Sequence, residues 1–357
     1  TPTASNMQPF NRIINGAMTI DQRNAGAAVT PINVQYTVDR WNYGVSQSSK
    51  LTSQQSTVAP AGFSHSLLTT SLSSYAITSS DNFWLDYRIE GTDVADLAWG
   101  TADATTVTLS FWVRSSLTGV FGVSVLNADI SRSYPATYTI SIADTWEKKS
   151  ITIAGDTTGT WLTNNSRGIW LMFGLGMGAT YSGPAGSWAS ADYRSATGAT
   201  SVVGTAGATF YITGVQLEAG STASPFAHEN YGDTLRKCQR YYEKSYNIET
   251  VAGSSNTLAQ AIGLGIYTNN PAAYNRFGMV YFKAPKRANP TVTLYAPATG
   301  SSTASANATS GDGGTNIGYC VPNQPNQNGF NIAATIGGQT ATNYYTGFFA
   351  YTAISEL

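Results

Sequence analysis

Trp188, Asp192, Tyr193 and Arg194 fall within seven residues, with Tyr181 shortly before them, in a stretch rich in Gly, Ser and Ala. These residue types suit a sugar. An aromatic ring covers the apolar face of a pyranose, while a carboxylate and a guanidinium take its hydroxyls. Binding sites of this kind combine apolar platforms with a few placed polar groups. The same residues also suit a loop whose Trp188 anchors it to the domain beneath. The stretch runs over 176–207, and irregular segments of that length inside a compact domain are uncommon and usually functional or mobile.

Signals for catalysis are sparse, and the expectation is a protein that is not an enzyme. The two His residues, His65 and His228, stand in unrelated contexts. No ligand pair shows tetrahedral-metal spacing, no Ser sits in a G-x-S-x-G elbow, and no Gly-rich loop continues into Lys-Ser/Thr. The glycines of GLGMG at 174–178 end a strand. Glycoside hydrolysis needs two carboxylates facing each other across a sugar; Asp86, Glu90, Asp93, Asp96, Asp129 and Asp192 are available. Asp86 and Glu90, four apart on a strand, share a face. No catalytic residue, metal or cofactor is expected.

The elements that must hold these residues are strands. Val107, Leu109, Phe111 and Val113 alternate with Thr108, Ser110, Trp112 and Arg114, the pattern of a strand with one core face. Tyr138, Ile140 and Ile142 repeat it, Ile151 and Ile153 follow after a turn at Asp144-Thr145, and Ile169 to Leu175 reads as a central strand. In 210–217 the apolar phase shifts from Phe210 and Ile212 to Val215 and Leu217, so a bulge is expected at Gly214. Trp112, Trp146 and Trp170 are expected to be buried. Asp233 would cap a helix over 233–244 with Leu235, Cys238 and Tyr241 or Tyr242 as its apolar side. An isolated helix this short is marginal in water. Leu235, Cys238, Tyr241 and Tyr242 are therefore expected to make oligomer or interdomain contacts.

These readings give an all-β chain in four parts. An arm covers 1–11, and a jelly-roll β-sandwich covers 12–229. A connecting helix segment spans 230–247, and a small C-terminal β-sandwich spans 248–357. In the last part strands are expected at 262–267, 277–282, 291–295, 330–336 and 344–351, with a loop at 297–316. Charged residues make up only 11% of the 357, and the formal net charge is −1. Sparse charge suits large subunit interfaces, whose cores are depleted of it. Arg236, Arg240 and Lys244, spaced four apart with Lys237 beside them, form the one candidate basic stripe. It is too small to suggest nucleic acid as a partner. No run of 18 apolar residues occurs, so membrane insertion is not expected. Cys238 and Cys320 are expected to be free thiols.

The sequence resembles bacteriophage tail-fibre-like, receptor-binding virion proteins that carry a carbohydrate-binding-like (galactose-binding-like) jelly roll. The resemblance rests on NRIINGAMTIDQRN (11–24), YTVDRW (36–41), VTLSFWVRSS (107–116) and ATYTISIADTWEKKSITIAGDTTGTW (136–161). FYITGVQLEAGSTASPF (210–226), CQRYYEKSY (238–246) and FFAYTAISEL (348–357) extend it. It covers most of 11–246 and returns weakly at the end. It implies a structural virion component assembled in the host bacterial cytoplasm, a homotrimer contacting other virion proteins and host cell-surface polysaccharide. Because the motif at 11–24 lies near the first residue, either the arm and jelly roll dock directly on the particle or another protein carries the anchor. A capsid decoration or head-fibre protein and a polysaccharide-cleaving tailspike are the alternatives.

Overall fold

The computed structural model describes residues 11–255, 261–268, 274–297, 299–302, 305–306, 318–336 and 343–357. Among the described residues the chain is all-β apart from one short helix and a few single turns. It divides into two compact units, 1–234 together with Leu357, and 235–356. The arm expected at 1–11 lies, but for Asn11, outside the described residues.

Unit 1 is built on two antiparallel sheets. The first has six strands in the order β1 (Val34–Tyr36), β2 (Trp41–Val45), β5 (Asn82–Glu90), β10 (Arg167–Met177), β7 (Gly119–Leu126) and β8 (Ser133–Ile140). The second has five: β3 (Leu51–Ser56), β4 (Ser66–Ser71), β13 (Thr209–Ala219), β6 (Val107–Ser115) and β9 (Glu147–Ile153). Alternate residues of both sheets form one buried cluster, with Trp41, Phe83, Leu85 and Phe173 from the first and Leu67, Leu109, Phe111 and Phe210 from the second. Two inner faces packed in this way make a β-sandwich.

The expected change of phase in β13 is a bulge. Its register with β6 shifts between Thr213 and Gln216, and Gly214 sits at φ +61°. A Cβ at Gly214 would fall 2.7 Å from the Phe63 ring, so glycine is needed both for the backbone and for the space. The segment 11–24 is irregular but firmly bonded. Arg12 N–H donates to Leu217 O at 3.1 Å, Val215 N–H to Gly16 O at 3.0 Å, and the Trp41 indole to Asn15 O at 3.1 Å.

Two of the three tryptophans expected inside are not. Trp170 is buried, but Trp112 and Trp146 are half-buried on the outer side of the five-stranded sheet. The alternation that sends Phe111 and Val113 inward turns Trp112 outward.

The helix also differs from its expected form. It spans Tyr231–Gln239 (α1), because Asn230 O accepts the first N–H groups, from Asp233 and Thr234, both at 3.1 Å. Asp233 therefore lies in the first turn rather than at the cap. Tyr241 lies past its end, and Tyr242 begins β14 (Tyr242–Lys244), paired with β21 (Asn343–Ile354). Lys244 is not on a helical stripe: it is buried, and its Nζ donates to Ile248 O and Thr250 O at 2.9 and 2.7 Å.

In unit 2, β14, β21 and β15 (Ile262–Thr268) form one sheet, with β17 (Thr291–Tyr295) also on β21. A second sheet runs β16 (Tyr274–Tyr281), β20 (Gly329–Ile336), β19 (Gly318–Asn326) and β18 (Ser305–Ala306). Strands therefore exist near all five expected places, and β14, β18 and β19 are additional. β18 falls within the expected loop at 297–316, most of the rest of which lies outside the described residues. Cys238 is buried on α1 and forms no disulfide, and Cys320 falls on β19. No helix among the described residues is long and apolar enough to cross a membrane.

Candidate glycan-contact site

The outer side of the six-stranded sheet carries a second, smaller apolar cluster: Trp84, Leu126, Trp170 and Met172. It arises because β5 and β10 each send large residues both ways. Trp84 lies against the backbone of β2, where a Cβ at Gly44 would come within 1.9 Å of its ring. The ring's N–H donates to Asp86 Oδ2 at 2.7 Å. Asn42 Nδ2 donates to the same oxygen at 2.7 Å, and Arg88 Nε reaches Oδ1 at 3.1 Å. Asp86 is thus a fully buried carboxylate with three donors, the condition under which a buried charge is tolerated. Beside it the Arg167 guanidinium lies 3.9 Å from the centre of the Trp170 ring, and burial together with the Arg88 charge lowers its pKa to about 10.

The segment 178–203 crosses this outer side and is held down along its length. Short parallel strands β11 (Ser182–Gly183) and β12 (Ser195–Ala196) pair within it. Ser124 Oγ donates to Tyr193 O at 2.6 Å, and Thr200 N–H to Val120 O at 2.7 Å. A segment this well bonded is an ordered surface rather than a loose loop.

The five candidate residues separate into three places. Tyr181, Asp192 and Arg194 come together. The Arg194 guanidinium lies 4.3 Å from the Tyr181 ring centre and 5.1 Å from that of Trp84, and Nε and Nη2 reach the two Asp192 oxygens at 2.9 and 2.8 Å. Tyr193 lies instead on the backbone of Gly183, where a Cβ would meet its ring at 2.2 Å. Trp188 joins a different cluster. Its ring is 5.4 Å from both Trp99 and Trp161 and 5.2 Å from Tyr134, and its indole N–H donates to Ala154 O at 2.7 Å. Trp188 therefore pins the segment to the sandwich edge.

The Tyr181–Asp192–Arg194 group brings an aromatic ring, a carboxylate and a guanidinium together at one place on the surface. The bidentate pair fixes the guanidinium plane, and the flanking rings add cation–π attraction. The Asp192 side chain keeps 32% of its surface exposed. Sequence inspection missed Trp84, which lies nearly a hundred residues earlier. The signal available was its position out of phase with Phe83, Leu85 and Tyr87.

The other acidic candidates are engaged elsewhere. Asp96 forms a two-armed pair with Arg12, and Asp129 accepts from the Ser131 hydroxyl at 2.7 Å. Glu90, like Asp86, is buried on β5. His65 Nδ1 lies 2.8 Å from the Ser64 hydroxyl, and His228 is exposed against the rings of Phe63 and Phe226. Among the described residues no three His, Cys, Asp or Glu side chains gather where they could hold a metal ion.

No protein-family model matches the sequence, and no curated protein matches it. Solved structures are similar at low identity. One is the enzymatically active domain of tailspike protein 4 of bacteriophage CBA120: 12% identity, 59% of this chain and 21% of that one, TM-score 0.28. Another is a family 11 carbohydrate-binding module from Clostridium thermocellum in complex with a mixed-linked tetrasaccharide: 9% identity, 56% and 98% coverage, TM-score 0.29. A third is a family 61 carbohydrate-binding module in complex with β-1,4-galactotriose: 11% identity, 59% and 99% coverage, TM-score 0.30. The matched part thus spans about a fifth of the tailspike domain and nearly all of each binding module.

Proposed function

We propose that this chain is a structural virion protein of a bacteriophage, of the tail-fibre or receptor-binding kind, assembled in the host bacterial cytoplasm as a homotrimer alongside other virion proteins. It contacts host-surface glycans through its β-sandwich and performs no catalysis. The phage assignment rests on the motifs at 11–24, 107–116, 136–161 and 210–226. The glycan assignment rests on one observation, the Arg194 guanidinium fixed by Asp192 and flanked by Tyr181 and Trp84 at a partly open surface. A capsid decoration or head-fibre role is the reading to which the protein reverts if that surface is passive.

The test is host-cell adsorption by virions carrying Tyr181→Ala and Arg194→Ala together. The expected result is normal assembly with adsorption reduced about tenfold or more, because two stacking or charge-assisted contacts are lost at every copy. Normal adsorption by these virions, with the chain found on the capsid shell, establishes the decoration role.

A further inference from the structure

The opposite outer side, that of the five-stranded sheet, carries half-buried aromatic rings that the glycan-contact site does not use. Tyr211 pairs with Arg114 across β13 and β6, and Trp112 with Thr213, so the two rings are diagonal neighbours on one side. The Trp146 ring lies 6.0 Å from that of Tyr211. The Arg114 guanidinium lies 5.1 Å from the Tyr211 ring centre and reaches Asp144 Oδ1 at 3.2 Å. At the bulge, the site of a Cβ on Gly214 is 2.7 Å from the Phe63 ring and 3.1 Å from that of Trp112, so these two rings converge there. Leu68, half-buried on β4, lies opposite Tyr211 on the other flank.

We infer that this row, Phe63–Trp112–Tyr211–Trp146, is a second binding surface, and that its occupant is an extended polysaccharide bearing acidic sugars. Three features argue for that occupant. The rings are interrupted by groups that hydrogen-bond, Arg114 at the centre and Lys148 and Gln54 at the flanks, whereas the core of a protein–protein interface is depleted of charge. Trp112 and Tyr211 stand on β6 and β13, Phe63 and Trp146 come from the segments just before β4 and β9, and with Lys148 on β9 and Leu68 on β4 the surface extends across three strand spacings or about 14 Å, which is a length for a chain rather than for one sugar. Its charge is also complementary: Arg114 and Lys148 outnumber Asp144, and Lys148 is exposed on β9 opposite Trp112. The inference takes from the proposed function only the class of ligand, since the two surfaces share no residue.

Affinity electrophoresis of the full chain tests it, using gels that contain polygalacturonate or hyaluronate as acidic probes and β-1,4-galactan as a neutral one. Retardation by an acidic probe is expected, weakened by salt. Trp112→Ala with Tyr211→Ala should weaken it about tenfold or more. Trp112→Phe with Tyr211→Phe should keep most of it, and all variants should still melt in one cooperative transition well above the temperature of the gel. Arg194→Ala should leave it unchanged. Retardation that survives the double alanine change overturns the inference, as does retardation by galactan alone or by none of the probes. Retardation lost only with Arg194→Ala overturns it too, and leaves the first site standing.

Discussion

Two carboxylates in unit 1 set opposite pH dependences, and both follow from who donates to them. Asp81 accepts from Thr78 N–H and Oγ1, Ser46 Oγ and Tyr75 OH at 2.7–3.0 Å. Burial alone would raise its pKa, but these donors outweigh it and hold the group down to about 2. A folded-state pKa below the unfolded one contributes stability above about pH 4, and this is lost as the pH falls toward 2. Asp39 is the reverse. Burial pushes it up to about 7, against the pull of Arg23 and of the two Gln22 donors, with Asp21 adding to the rise. The folded state then holds a proton that the unfolded state releases, so stability falls as the pH rises from about 4 to about 7. Thermal unfolding against pH should therefore peak for this unit near the lower end of that window. Asp81→Asn should flatten the acid side, and Asp81→Ala should cost on the order of 1 kcal/mol, because four hydrogen bonds are lost but their donors, Ser46, Thr78 and Tyr75, remain within reach of water. An acid side that is unchanged in Asp81→Asn would place the responsible carboxylate elsewhere. Little of this was legible in the sequence. Asp81 lies in an SSDN turn, and nothing local announces Ser46 or Tyr75 as partners.

At the level of elements, unit 2 is fastened by a buried pair that no periodicity reveals. Lys286, from the turn after β16, and Glu243, on β14, meet at 2.7 Å with both side chains wholly buried. Glu243 also accepts from Tyr351 OH at 2.6 Å and from Lys283 N–H, and Lys286 Nζ donates to Gln239 O. Burial lowers the Lys286 pKa even with Glu243 beside it. Removing one partner strands the other charge, so Lys286→Ala should cost about 3–5 kcal/mol. The double change Lys286→Met with Glu243→Gln should cost clearly less than the sum of the single changes. Additive costs in chemical denaturation would mean that the two charges act independently. The motif CQRYYEKSY reads as the end of a helix because its apolar residues keep helical spacing through Tyr241. The chain instead leaves the helix at Gln239, because β21 offers Tyr242 to Lys244 a ladder of partners. β19 was hidden for a related reason. Pro322 and Pro325 deplete its N–H donors, and its pairing with β20 shows a register shift near the second of them.

At the scale of the whole molecule, strands with one clean core side were legible, because alternation is a local property. Hence the core face of β6, the bulge at Gly214 and five strands of unit 2 are legible in the sequence. Which outer side matters was not legible. That depends on what covers a sheet, and the covering segments come from far along the chain. The stretch 176–207 looked like a single recognition loop; it is a bonded cover that delivers Tyr181 and Arg194 to Trp84 while spending Trp188 on anchorage. The same long-range bonding argues that unit 1 is complete in itself. Its core joins residues from Ile13 to Leu217, and the 11–24 segment is tied to β13 through Asn11, whose side chain bonds Val215 O and Leu217 N at 3.1 Å. Residues 11–234 expressed alone should therefore melt in one cooperative transition with a β-rich far-ultraviolet spectrum. Asn11→Ala should lower that transition, since two backbone groups of β13 lose their partner. A fragment beginning at residue 25 should not fold cooperatively, because Ile13 and Met18 leave the core and the Trp41 indole loses Asn15 O. If that shorter fragment melts as sharply as the longer one, the 11–24 segment is an attachment and not part of the sandwich, and the motif it carries has to be explained by contacts outside unit 1.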